Sequence, residues 1–182
     1  NTYKVDFSDV FTEITDNEIT LAFDGTGASG NLPRAYIVMR VKSQAMAKER
    51  LSGVLRNIAA AESAGLNSYI SRFDFDKETA FDIYRLPVKK LVAKIFGDLF
   101  SAVDEHYFIF LDNYVVFSSS ADNLKTLASD YILKRTLNSD PVYIDFRNNG
   151  STRSNICFYT RLSSINRTFS KYLEQDLAKN WE

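Results

Sequence analysis

The sequence predicts an α+β fold in which an antiparallel or mixed sheet of about seven strands carries four or five helices, packed mainly on one face. Three observations lead there. Tyr107–Leu111 and Tyr114–Ser118 are β-rich runs flanking Asp112-Asn113, the chemistry of a tight two-residue hairpin turn. Tyr69–Phe75 and Thr79–Leu86 form a second pair, joined at Asp76-Lys77-Glu78. Amphipathic helical stripes lie between and around these pairs without the regular strand–helix–strand alternation of a parallel sheet.

Taken in order, Ser8 and Asp9 stand where a cap would precede the short apolar stripe of Val10, Phe11 and Ile14. Glu18–Phe23 then alternates as a strand, and Asp24–Pro33 is a glycine-rich loop. Ala35–Val41 is the next strand. Ser43 caps a long helix through Ala47, Leu51, Val54, Leu55 and Ile58, which Gly65 ends. After the second strand pair, Pro87 opens a helix with the cleanest stripe in the chain: Val88, Leu91, Val92, Ile95, Phe96 and Leu99. Both faces of the 107–118 hairpin are apolar, which predicts a central pair covered on two sides. Leu124, Leu127 and Tyr131 continue as helix, Pro141 starts a short helical turn, Ser154–Thr160 reads as a strand, and Ile165, Phe169, Leu173 and Leu177 make a last helix. The expected core is Leu21, Phe23, Ile37, Met39, Leu51, Val54, Ile58, Leu91, Ile95, Phe108, Phe110, Val116, Phe158 and Phe169.

Three stretches share a plan of strand, serine-containing turn and helix: AYIVMRVKSQAMAKERLSGVL, NYVVFSSSADNLKTLASDYI and SNICFYTRLSSINRTFSKYL. Duplication and independent strand–helix units account for this equally well.

Composition bounds the function. With 45% hydrophobic residues among 182, core material suffices for one domain over 1–182. A formal charge of −1 lacks the positive field that nucleic acid demands, so no nucleic-acid partner is expected. Cys157, the sole cysteine, rules out an intrachain disulfide and a multi-cysteine zinc site. No apolar run is long enough to span a bilayer, so no direct membrane insertion by this chain is expected. The chain starts at Asn1, from which we expect a piece of a longer protein.

Candidate chemistry is sparse. Gly25, Gly27 and Gly30 match G-x-G-x-x-G, but a phosphate cradle must open a helix, and here Asn31-Leu32-Pro33 leads into another β-rich run. A hairpin loop is expected, and no cofactor. His106 is the only histidine, with no second one to share a metal, so no metal site is expected. Asp74 and Asp76 are the best carboxylate pair for acid–base work, yet Arg72 and Lys77 beside them favour solvated charges. Cys157 lies among Ile156, Phe158 and Tyr159, which implies a buried or half-buried, inert thiol. Lys89, Lys90 and Lys94 oppose an apolar stripe, a pattern more typical of a helix on a sheet than of one on a membrane. Asn149 and Asn166 sit in glycosylation-type triplets, which matter only where that machinery exists. No catalytic residue is assigned.

DIYRLPVKKLVAKIFGDLF, HYFIFLDNYVVFSSSADNLKTL and STRSNICFYT together resemble an uncharacterised domain-of-unknown-function family of Bacteroidetes envelope proteins. The likeness runs from about Phe7 to the C-terminus and is sharpest in Phe96-Gly97-x-Leu99-Phe100 and Asp112–Phe117. The chain departs from the pattern at Ser118, where the family has glycine. The resemblance implies a membrane anchor, a domain of this kind and a downstream β-propeller-like region. It therefore implies a periplasmic or extracytoplasmic location in the cell envelope, with anchoring through a segment outside this chain. It carries over no catalytic residues. The expected function is a non-enzymatic binding, docking or scaffolding domain of a larger envelope protein; the alternative is an enzyme or small-ligand-binding domain with a site built from dispersed residues. Expected partners are neighbouring domains of the same polypeptide or another envelope protein, with Trp181, a large ring at a helix end, as the candidate interdomain contact.

Overall fold

The structure, a computed structural model, describes residues 3, 5–24, 34–104, 107–150, 156, 157, 159 and 160. Its strands are β1 (Thr15–Asp24), β2 (Arg34–Val41), β3 (Ile70–Asp74), β4 (Ala80–Arg85), β5 (Tyr107–Leu111) and β6 (Tyr114–Ser118). The helices are α1 (Phe7–Ile14), α2 (Gln44–Ala61), α3 (Leu91–Phe96), α4 (Ala121–Ile132) and α5 (Pro141–Asn149). The fold class is α+β: the strands form one six-stranded antiparallel sheet in the order β1-β2-β6-β5-β4-β3. Its contacts divide the chain into two compact units, Asn1–Ala22 with Ala35–Ser129, and Phe23–Arg34 with Asp130–Glu182.

In the first unit the 107–118 hairpin lies at the centre of the sheet. Successive side chains of a strand point to opposite faces, so the hairpin feeds two cores. Phe108, Phe110, Val115 and Phe117 face one side, with Ile37 and Met39 of β2, and there α1, α2 and α3 cover them through Phe11, Leu51, Leu55, Ile58 and Val92. Ile109, Leu111 and Val116 face the other, with Tyr36 and Ile83, under Leu124 and Ala128 of α4. The register sets the same-face pairs, Phe108 against Phe117 and Ile109 against Val116. Tyr84 stacks on Phe108 at 4.9 Å, and Phe110 meets Phe108 edge-on at 5.7 Å. Such ring pairs add about 0.5–1.5 kcal/mol each to their burial.

Local chemistry accounts for the element ends. Asp112 takes a φ of 46° in the hairpin turn, a conformation Asp tolerates, and Gln44 Nε2 donates to its carbonyl at 2.7 Å. Ser43 caps α2 as expected, accepting from Met46 N. The cap of α1 is Asp6 rather than Ser8 or Asp9. Ser63, not Gly65, takes the left-handed position that ends α2: its φ is 53°, and Ala64 N donates to Ala59 O at 2.8 Å.

Several expectations are corrected. Among the described residues the sheet has six strands, not seven, because Ile156, Cys157, Tyr159 and Thr160 of the expected last strand form no strand; the rest of 154–160 lies outside the described residues. A β-rich run becomes a strand only where another strand pairs with it, and Ile156 is instead 74% exposed. The helix expected from Pro87 to Leu99 shrinks to α3, because Lys90 adopts φ 52° and Gly97 φ 106°, both incompatible with helix; Leu99 is 65% exposed. Of the expected core, Leu21 and Ile95 are half-buried and Phe23 is exposed, while Phe158, Phe169 and the helix from Ile165 lie outside the described residues. Of the three similar stretches, the first two are β2–α2 and β6–α4, but α2 and α4 pack on opposite faces of the sheet.

The second unit contains α5, where Asp140 accepts from Val142 N and Tyr143 N and Pro141 occupies the first turn. Tyr159 meets Tyr143 edge-on at 4.8 Å and Phe146 in a tilted arrangement at 5.0 Å.

Candidate functional site

Asp74 and Asp76 do not share a face. Asp74 ends β3 and accepts from Arg72 Nε at 2.8 Å, an ion pair 70% exposed at the arginine and 65% at the aspartate. Asp76 stands in the turn, where its Oδ1 accepts from the backbone of Glu78 at 2.9 Å and of Thr79 at 2.7 Å. Those amides, Glu78 first, hold its carboxyl below the ordinary value of 3.8. One carboxylate is a surface ion-pair partner and the other organises a turn. Neither is arranged to exchange protons with the other.

Gly25, Gly27, Gly30, His106 and Trp181 lie outside the described residues. In sequence the glycines fall between β1 and β2, whose ends are tied by Arg34 to Asp24 at 2.6 Å. The next described element is the strand β2 from Arg34. Cys157 is exposed, which corrects its expected burial and follows from the missing strand. Lys89, Lys90 and Lys94 are exposed while Leu91, Val92 and Ala93 are buried, so α3 lies on the sheet. Among the described residues no helix is long and apolar enough to cross a membrane, and no three His, Cys, Asp or Glu side chains group to hold a metal.

Three arrangements escaped the sequence reading. Glu62, at the end of α2, accepts from Tyr3 Oη at 3.2 Å and from Tyr69 Oη, and Arg85 lies 5.1 Å over the Tyr69 ring. The hydrogen bond to Glu62 raises the Tyr69 pKa above 10.0, and burial followed by the same carboxylate raises that of Tyr3, so both phenols remain proton donors to Glu62. Ser118 is fully buried: its hydroxyl donates to Ala35 O at 3.0 Å and accepts from Asn123 Nδ2 at 3.1 Å, joining β2, β6 and α4. Asp104 holds its N–H on Ser119 Oγ at 3.1 Å, while its Oδ1 is buried with no hydrogen-bond partner among the described residues.

Among the described residues, one concavity is a groove of about 360 Å3 between α1 and α2. Val5, Val10 and Val54 give it an apolar lining, and Arg50 and Arg56 flank it. Glu13 engages Arg50 at 2.6 Å. Gly53 opens onto it from mid-helix, and a Cβ there would meet nothing within 4 Å. The groove contains neither Asp74 nor Asp76. Its lining mixes valines with Glu49, Asn57 and the two arginines, the chemistry of an amphipathic contact surface.

No protein-family model, curated protein or solved structure matches the chain.

Proposed function

We propose that this chain is a non-enzymatic binding, docking or scaffolding domain of a larger cell-envelope protein, held on the periplasmic or extracytoplasmic side by a segment outside it. The observation that carries the reading is how the charged side chains are used. Asp74 is occupied by Arg72 and Asp76 by its turn, and the α1–α2 groove, where Glu49, Arg50 and Arg56 stand among valines and a bare glycine, contains neither of them. The envelope setting rests on the likeness of Phe96-Gly97-x-Leu99-Phe100 and Asp112–Phe117 to the Bacteroidetes family. The partners are neighbouring domains or another envelope protein, with Trp181 as the interdomain contact.

The alternative, an enzyme or ligand-binding domain built from dispersed residues, draws on the buried Oδ1 of Asp104, which has no hydrogen-bond partner among the described residues. Trp181 fluorescence separates the first reading from its failure. In a longer chain that includes the downstream segment, Trp181 emission shifts to the blue and is shielded from acrylamide relative to this chain alone. Identical emission and independent unfolding of the two parts would remove the docking role. An activity abolished by Asp104→Asn in a folded protein would establish the alternative.

A further inference from the structure

We propose that the outer edge of β3 pairs with β3 of a second copy of this chain, antiparallel about a two-fold axis at Phe73. This inference is independent of the envelope reading.

β3 ends the sheet, and among the described residues no strand lies beyond it. Phe75 N donates to Thr79 O at 2.9 Å, and the register then places Phe73 opposite Phe81 and Ser71 opposite Ile83. Backbone polar groups alternate sides along an antiparallel strand, so Phe75, Phe73 and Ser71 aim theirs at β4, while Arg72 and Asp74 aim theirs outward. A second β3 centred on Phe73 sets Arg72 against Asp74 of the other copy, and Asp74 against its Arg72. Both are outward-facing residues, as a hydrogen-bonded antiparallel pair requires.

The side chains obey the same axis. Arg72 and Asp74 share a face and already attract each other at 2.8 Å, and Asp82 faces Arg72 from β4. Pairing would place each Arg72 between Asp82 and Asp74 of the second copy, giving alternating charges across the joined sheets. On the opposite face, half-buried Phe73 would meet Phe73 of the second copy in a close, non-hydrogen-bonded pair. Charged edges ordinarily repel passing strands. Here the charge order is self-complementary, and it selects a second copy. The other edge lacks this property: Asp16 and Asp24 of β1 are committed to Arg40 and Arg34 of β2, and TDNEITLAFD contains no basic residue.

Five residues make a small interface, so the association belongs to the weak class, below about 1,200 Å2 buried. Sedimentation velocity from about 10 µM to about 1 mM spans that class. The expected result is a concentration-dependent monomer–dimer equilibrium. Asp74→Arg leaves two arginines facing two arginines, and Arg72→Asp leaves two aspartates facing two aspartates; each alone should weaken dimerisation at least about tenfold. Mixed in equal amounts, the two variants become complementary and should form a heterodimer. Both positions are exposed, so circular dichroism should report an unchanged fold. A monomer throughout the range, a dimer indifferent to both variants, or folded variants that fail to combine would overturn the proposal.

Discussion

The central hairpin β5–β6 and the outer hairpin β3–β4 are both antiparallel and tightly connected, yet the sheet uses them in opposite ways. Four of five residues in each of β5 and β6 are buried, whereas none of β3's five is. Local β-structure is therefore a poor guide to role. A strand's place in the sheet order decides whether its alternating side chains feed two cores, as Phe117 and Val116 do, or leave an ion pair and a row of backbone groups facing water, as Arg72 and Asp74 do.

The largest expected effect tests the centre of the sheet. Phe117→Ala empties a site with no exposed surface, and chemical denaturation should show a loss of about 3–5 kcal/mol, while Phe73→Ala in the outer hairpin should cost well under half as much. Equal losses would erase the contrast. Next comes Ser118→Ala, which strands the side-chain amide of Asn123 and a carbonyl of β2; a loss of about 1–3 kcal/mol is expected. Ser118→Gly, the residue of the resembled family, should be no better.

Gly53→Ala should raise stability by about 1 kcal/mol, since glycine is a poor helix former and the added methyl meets open space. A destabilised variant would mean that the groove is already filled in solution. The smallest effect concerns acid. Because the folded-state pKa of Asp76 is depressed, its contribution is fully present above its ordinary value of 3.8 and is lost as pH falls through the lower folded value. Asp76→Asn should therefore flatten the acid limb of a stability–pH curve below about pH 4 and leave the curve near pH 7 parallel to the wild type.

Much of the fold was legible because its signals are local. Asp112-Asn113 between two apolar runs specified the central hairpin and its double burial, and Ser43 marked the start of α2. The errors arose where local pattern met a distant constraint. SNICFYT has strand composition but forms no strand over its described residues, and the stripe after Pro87 is helical in spacing but broken by left-handed Lys90. The site was less legible still. Arg72 beside Asp74 could be read as a solvated pair from adjacency, but Glu62 gathers Tyr3 from 59 residues away, and no spacing rule joins them.

The sequence by itself determined the class of elements, the hairpin turns, the main helix cap and the absence of an intrachain disulfide, because each depends on residues within a few positions or on composition alone. Only the tertiary structure decided that β6 lies between β2 and β5, that α2 and α4 cover opposite faces, and that β3 is left at an edge. Those outcomes depend on which apolar faces can be buried at once across the whole chain, and loop closure between distant segments leaves no imprint on the spacing of neighbouring residues.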